Sequence, residues 1–274
     1  MLVARKEYVD ILSSRMVLLI ILLFLAYSIT WVYNFSVTAN GHGPPGAMLG
    51  IGTYNVGTAA AGAVFNLMTT FGMIIGIVIG CSAIANDRVG NALNTLLTKP
   101  VYRDTIINGK ILGSLAFLAA YMALVTAVFT ASLLVFCGSV LASSLGDYVS
   151  RLPFVFIYTL VYVGVFLALA MFISVLIRDQ AVAMILTVIV MFLLQFSYLS
   201  DHINYVFPGL GLKSLLDGLS PYKISIQTNL VWLDSSRNAY EAFTTVLPGL
   251  EQLFVFVVIA LVLSYIIFVR RDIS

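Results

Sequence analysis

A polar segment between two long hydrophobic runs, residues 86–110, has the clearest chemical meaning in this 274-residue chain. It reads NDRVGNALNTLLTKPVYRDTIINGK. Four of the fourteen Lys and Arg residues lie in it: Arg88, Lys99, Arg103 and Lys110. Basic side chains beside leucines at helical spacing suit docking onto a surface rather than catalysis. We therefore expect this segment to lie in water and to contact something.

One amphipathic helix is predicted within the segment, from about Arg88 to Thr98. Its apolar side chains fall within roughly 140° of a helical wheel, and they are Val89, Ala92, Leu93, Leu96 and Leu97. Pro100 disfavours helix at Lys99 and ends the element. Asp104 can then cap a second helix that continues through Lys110. The leucine face could contact either lipid or a partner protein. Composition alone favours neither of the two.

Groups that could perform catalysis are scarce along the whole chain. There is no HExxH motif, and the only two histidines, His42 and His202, fall in predicted outer segments. Gly109-Lys110 is followed by Ile111 and therefore fails the phosphate-loop pattern GxxxxGK[ST]. We predict no catalytic, cofactor-binding or metal-binding residues. If ATP drives this protein, the ATPase is a different polypeptide.

The composition indicates a membrane protein. Hydrophobic residues make up 61% of the chain and charged residues 9%, whereas a soluble domain has roughly 25% charged residues. Six continuous apolar stretches are long enough to span a bilayer, at about residues 16–37, 59–85, 111–136, 154–177, 181–199 and 250–269. We predict an all-α, polytopic membrane protein with six transmembrane helices in a single domain, residues 1–274.

The distribution of Lys and Arg predicts the orientation. With the N-terminus in the cytoplasm, ten basic residues fall inside: Arg5, Lys6, Arg15, Arg88, Lys99, Arg103, Lys110, Arg178, Arg270 and Arg271. Four fall outside: Arg151, Lys213, Lys223 and Arg237. By the positive-inside rule, both termini are predicted to be cytoplasmic.

Two segments outside the spans are predicted to be helical. Residues 1–15 place Ala4, Tyr8, Ile11 and Leu12 on one face, which is typical of a helix lying in the membrane interface. An ordinary charged segment that only sets the topology is the alternative. Residues 200–248, the extracytoplasmic segment, are too polar to span and too apolar for a free loop, which favours short helices lying on or dipping into the outer leaflet.

Small and polar residues within the spans have two predicted roles. Gly72, Gly76 and Gly80 recur every four residues, which favours close helix packing in lipid. The main polar side chains inside the bilayer are Asn66, Thr69, Thr70 and Gln195. They are candidates for a substrate path, and helix–helix hydrogen bonds explain them at least as well.

The run Asp87-Arg88-x-Gly90-x-x-Leu93-x-x-Leu96-Leu97-Thr98-Lys99-Pro100-Val101, followed by Gly109-Lys110 and Gly113, resembles a known sequence pattern. It is similar to the first cytoplasmic loop of ATP-binding-cassette (ABC) export permeases of the second type, the ABC-2 family. Those permeases read acidic-Arg-x-x-Gly-Thr-Leu, then Leu-Leu-Ser-(Lys/Arg)-Pro-Val, and later Gly-Lys. Leu219-Ser220-Pro221 before the last span and the Arg270-Arg271-Asp272 tail also resemble this family.

The resemblance implies a transmembrane subunit of the plasma membrane that pairs with a second permease, as a homodimer or with a paralogue, and with two ATPase subunits. ATP and Mg would bind in the partner ATPase. The helix after Arg88 would be the coupling helix, in which the residues that contact the ATPase are Arg88, Gly90, Leu93, Leu96, Leu97, Lys99, Pro100 and Arg103. The extracytoplasmic segment would form re-entrant helices before the last span.

Other functions stay open at this point. A permease-like subunit of a maturation or assembly complex would pass conformational energy to an extracytoplasmic protein through the long outer segment. A self-powered secondary carrier is disfavoured, because no Asp, Glu, Lys or Arg lies in the central portion of any predicted span. Nucleic acid is not among the expected partners.

Overall fold

The computed structural model of the chain describes residues 2–39, 55–89, 103–177, 179–195 and 220–270. The regular elements in these ranges are all helical, as predicted. The α-helices are α1 (Leu2–Ser13), α2 (Arg15–Ala39), α3 (Val56–Val89), α4 (Arg103–Leu141), α5 (Leu145–Leu176), α6 (Gln180–Gln195), α7 (Pro221–Leu233) and α8 (Ala239–Arg270), and a 3-10 turn, Ala142–Ser144, joins α4 to α5.

Four helical stretches are long and apolar enough to cross a membrane: Arg15–Val37, Val56–Ala83, Ile107–Leu176 and Ala239–Phe268. The third is 70 residues long and contains both α4 and α5, and Gln180–Leu194 is a shorter apolar helix. The chain is therefore a multi-pass membrane protein, and six crossings remain a prediction.

Several helices extend beyond the apolar runs that predicted them. α4 begins eight residues before Ile111, α5 nine residues before Phe154 and α8 eleven residues before Leu250. A side-chain cap favours the early start of α8, because the backbone N–H of Asn238 donates to Glu241 Oε2 at 3.1 Å. The predicted extracytoplasmic segment, residues 200–248, therefore contains α7 and the first ten residues of α8.

The bundle is organised around α3, which packs closely on α5. A Cβ atom built on Gly72 would lie 2.7 Å from Val163 Cγ2, and one on Gly80 would lie 2.6 Å from the backbone oxygen of Leu167. Gly76 faces the same part of α5. In lipid there is no hydrophobic force between helices. The close approach that these glycines allow therefore stabilises the bundle by van der Waals packing between α3 and α5. The three glycines lie against a helix of the same chain.

Pairwise contacts show how α3, α4, α5 and α8 run relative to one another. At one end of the bundle, Asn55 Nδ2 donates to Asp147 Oδ2 at 2.8 Å; we call this the α5-start end. At the opposite end, which we call the α1 end, Lys110 Nζ donates to the backbone oxygen of Ala83. α8 runs parallel to α5, since Gly249 lies against Tyr158 and Val257 against Gly164. The C-terminal end of α8 therefore lies at the α1 end, on the same side of the bundle as α1.

Replacing Gly80 by Ala should destabilise the bundle by about 1–3 kcal/mol, because the new methyl group meets backbone atoms of α5 that cannot move aside. Thermal stability of the detergent-solubilised protein, followed by size-exclusion chromatography after heating, measures the effect. Gly138→Ala in α4 is the matched control, since a Cβ atom there meets nothing within 4 Å. Equal midpoint temperatures for the two variants would contradict the packing assigned to Gly80.

Candidate functional site

A buried ion pair joins three helices at the α1 end. Lys110 Nζ of α4 lies 3.0 Å from Glu7 Oε2 of α1, and the two side chains are only 6% and 13% exposed. The same ammonium group donates to the backbone oxygen of Ala83 in α3. Buried charges are tolerated when they are paired and hydrogen-bonded. Because Lys110 bonds both neighbours, α1, α3 and α4 are held together at this end.

Glycines allow α1 to lie directly on α4. A Cβ atom on Gly109 would be 2.7 Å from Val3 Cβ, and one on Gly113 would be 2.8 Å from the backbone oxygen of Ala4. The ring of Tyr8 packs edge-on against Phe117, with centroids 5.7 Å apart. The apolar face of the N-terminal helix therefore packs on protein.

The remaining side chains of the predicted interfacial face differ in environment. Ile11 is buried, whereas Leu12 is 44% exposed. The sequence pattern thus identified the apolar face of α1 but did not reveal that α4 covers most of it.

The predicted ATPase-contacting residues lie between α3 and α4. Arg88 is in the last turn of α3, and Arg103 is the first residue of α4. The other six residues, Gly90, Leu93, Leu96, Leu97, Lys99 and Pro100, lie outside the described residues. The segment that carries them is therefore flanked by α3 and α4, the two helices that Lys110 joins.

A polar cavity of about 210 Å³ lies between α3, α5 and α7. Its polar lining consists of Asn66, Thr69, Thr70, Tyr162, Tyr222, Ser225 and Asn229, and its apolar lining of Phe65, Ile226 and Leu230. None of these side chains carries a formal charge. The cavity can hold a small molecule through hydrogen bonds and aromatic contacts.

Three of the four predicted substrate-path residues line this cavity, namely Asn66, Thr69 and Thr70. Gln195 is the last residue of α6, and its side chain lies outside the described residues. Sequence reasoning missed the half of the lining that α7 supplies. The spacing of Tyr222, Ser225 and Asn229 places them on one helical face, but the sequence does not show that this face meets α3.

Arg151 holds α7 in place. Its side chain is buried, at 2% exposure, and its guanidinium donates to the backbone oxygens of Trp232 at 2.7 Å, Asp234 at 2.9 Å and Arg237 at 2.5 Å. A cation bonded to the last carbonyls of a helix satisfies them and favours the helix dipole. Hydrogen bonds from Ser236 lower the pKa of the Asp234 carboxyl below its usual value. In the sequence, Arg151 only contributes to the count of basic residues that predicts the orientation of the chain.

The long apolar helices and the polar cavity between them are typical of a helical membrane transport protein. The family described as ABC-2 family transporter protein matches residues 1–273. The chain therefore belongs to the ABC-2 transporter family and is a permease subunit of an ABC transporter, a class that works with an ABC ATPase subunit. Among individually curated proteins, none matches the chain significantly.

Replacing Lys110 by Met should destabilise the protein by about 3 kcal/mol, because it removes the cation from a buried carboxylate and the donor from Ala83. Thermal midpoints in detergent measure this change. The exposed pair Asp234–Arg237 provides the control, with side chains 34% and 42% exposed. Arg237→Ala should cost less than about 1 kcal/mol. Similar losses for both variants would contradict a structural role for the buried pair.

Proposed function

We propose that the chain is the membrane-spanning subunit of an exporter, driven by ATP hydrolysis in a separate ATPase subunit that docks at residues 88–103. The observation that carries this proposal is the family match over residues 1–273 in a chain that lacks a phosphate loop. ATP and Mg would bind in the partner, and the leucine face at Leu93, Leu96 and Leu97 would lie in a cleft of that partner.

The ion pair at the α1 end supports a route for coupling. A force applied to residues 90–102 acts on the end of α3 and the start of α4, since these helices flank the segment. Lys110 bonds Ala83 and Glu7, so α1 shares any displacement of the two helices. α3 in turn packs on α5 through Gly72 and Gly80. Coupling of this kind requires a contiguous packed element with two arrangements, which ATP binding would bias.

The polar cavity supports the assignment of a substrate path along α3. Asn66, Thr69 and Thr70 line it, and polar groups within a membrane span commonly mark a pathway. Gln195 would belong to the same path. A self-powered carrier is less well supported, because no described residue that lines the cavity is ionisable at neutral pH.

The finer assignments follow from the family resemblance and the charge distribution. The protein would lie in the plasma membrane with the α1 end and both termini in the cytoplasm. It would pair with a second permease, as a homodimer or with a paralogue, and with two ATPase subunits. α7 and the rest of the extracytoplasmic segment would face the outer side, where a further protein could bind.

Three variants in the docking segment test the coupling role: Leu96→Asp, Arg88→Glu and Arg103→Glu. An aspartate in a desolvated leucine contact should cost about 2 kcal/mol or more of binding energy, which is roughly thirtyfold in Kd. The two charge reversals should also weaken the docking. We expect less ATPase in the purified complex and slower ATP-driven transport, while the permease stays inserted. Affinity purification followed by quantitative immunoblotting and ATPase assays measures both.

Ser235→Asp serves as the matched control for Leu96→Asp, because it adds the same single negative charge to an exposed residue at the opposite end of the bundle. It should leave ATPase recovery unchanged. Full recovery and full transport in all three docking variants would show that the ATPase binds elsewhere. Co-purification of a secreted or lipid-anchored protein in place of a transported substrate would favour the assembly-complex alternative.

A further inference from the structure

The polar cavity is lined by two side-chain amides, Asn66 and Asn229, whose hydrogen-bonding capacity is largely unused in the described part of the chain. Asn229 Oδ1 is buried and accepts no hydrogen bond. Thr70 Oγ1 donates to Asn66 Oδ1 over a long 3.4 Å, and the described residues provide no acceptor for the Asn66 amide N–H groups. A carboxamide offers two donors and an acceptor. Most of this capacity is therefore unused by the described protein groups.

The two amides come from facing helices and lie close together. The Asn229 carboxamide of α7 contacts α3 at Gly62, where a Cβ atom would be only 3.1 Å from Asn229 Oδ1. Asn66 follows Gly62 by four residues and so occupies the same face of α3, one helical turn further along. A ligand between α3 and α7 can therefore be reached by both amides.

The depth of Asn66 makes exposure to lipid costly. Asn66 is eleven residues from Asn55 at one end of α3 and seventeen from Ala83 towards the other, which corresponds to about 16 Å and about 26 Å at 1.5 Å per residue. Each unsatisfied polar group in hydrocarbon costs several kcal/mol. Since Asn66 is exposed on the surface of the single chain, it must face water, a ligand or protein.

The lining also restricts the chemistry of a ligand. No described side chain of the cavity carries a charge, so an ion entering it would lose hydration without gaining a counter-charge. Phe65, Tyr162 and Tyr222 provide aromatic surface for an apolar side group. An amide group fits the two asparagines best, because it can both donate to and accept from a carboxamide.

We propose that the cavity binds an uncharged, amide-bearing molecule with an aromatic or apolar side group, such as a capped peptide, which Asn66 and Asn229 hold from opposite sides. This proposal rests on the proposed transport function and adds the class of substrate. α7 presents its half of the site rigidly. Arg151 bonds the carbonyls at its C-terminal end, and Thr228 Oγ1 donates to Tyr158 OH of α5 at 2.8 Å. A pre-positioned Asn229 reduces the entropy lost on binding.

A thiol reporter in the cavity wall tests the proposal directly. Ile226→Cys places the reporter beside the site, in a Cys81→Ala, Cys137→Ala background of the full chain reconstituted in phosphatidylcholine liposomes. N-ethylmaleimide labels the reporter, and two matched probes compete: N-acetyltyrosinamide, which is neutral, and N-acetyltyrosine, which is an anion at pH 7. We expect the amide to slow labelling at a concentration about tenfold or more below that needed for the acid.

Near-isosteric variants separate binding from general access. Asn66→Leu and Asn229→Leu should each remove the protection by N-acetyltyrosinamide while Ile226→Cys still reacts. Ser235→Cys in the exposed connection between α7 and α8 is the control and should react with N-ethylmaleimide without protection. Equal protection by both probes, no protection by the amide, an unreactive reporter, or protection that persists in both leucine variants would each overturn the proposal.

The assay uses neither ATP nor the ATPase. Failure of coupling at residues 88–103 would leave the protection unchanged, and loss of protection would leave ATPase recovery unchanged. The two proposals can therefore fail separately.

Discussion

The close approach of α3 to α5 is the constraint on which the rest of the structure depends. Gly72, Gly76 and Gly80 place no side chain between the two helices, so backbone atoms of α5 come within reach of α3. In a bilayer, such packing replaces the hydrophobic effect as the source of helix association. With α3 fixed on α5, the polar side chains from Asn66 to Thr70 are turned towards α7, and the end of α3 meets Lys110.

The two polar regions of the molecule are stabilised in different ways. At the α1 end, a paired and hydrogen-bonded charge holds three helices together, which leaves little capacity for a ligand. In the cavity, the carboxamides of Asn66 and Asn229 have unused hydrogen-bonding capacity. Polar groups with all their hydrogen bonds made stabilise the structure, whereas buried polar groups with unused capacity invite a ligand or water. This contrast is the physical basis for proposing coupling at the α1 end and ligand binding in the cavity.

α7 connects the cavity to the opposite end of the bundle. Its C-terminal carbonyls accept from Arg151, its middle bonds Tyr158 through Thr228, and its N-terminal Ser220 donates to the backbone oxygen of Leu194 in α6. A movement of α5 or α6 would therefore shift the half of the cavity that α7 carries. If an ATPase docks at residues 88–103 as proposed, these bonds would link its movement to the cavity.

The amino-acid sequence by itself determined the membrane class, the all-helical architecture, the glycine face of α3 and the family, because each is encoded in local composition, period or motif. It also singled out Asn66, Thr69 and Thr70 as polar groups in an apolar run. Only the tertiary structure decided which surfaces these residues meet. Periodicity shows which face of a helix is apolar or polar, but not which helix covers it. The pairing of Lys110 with Glu7, the bonds of Arg151 to α7 and the opposition of Asn229 to α3 each join residues more than eighty positions apart or on separate helices, and they exist only once the helices have packed.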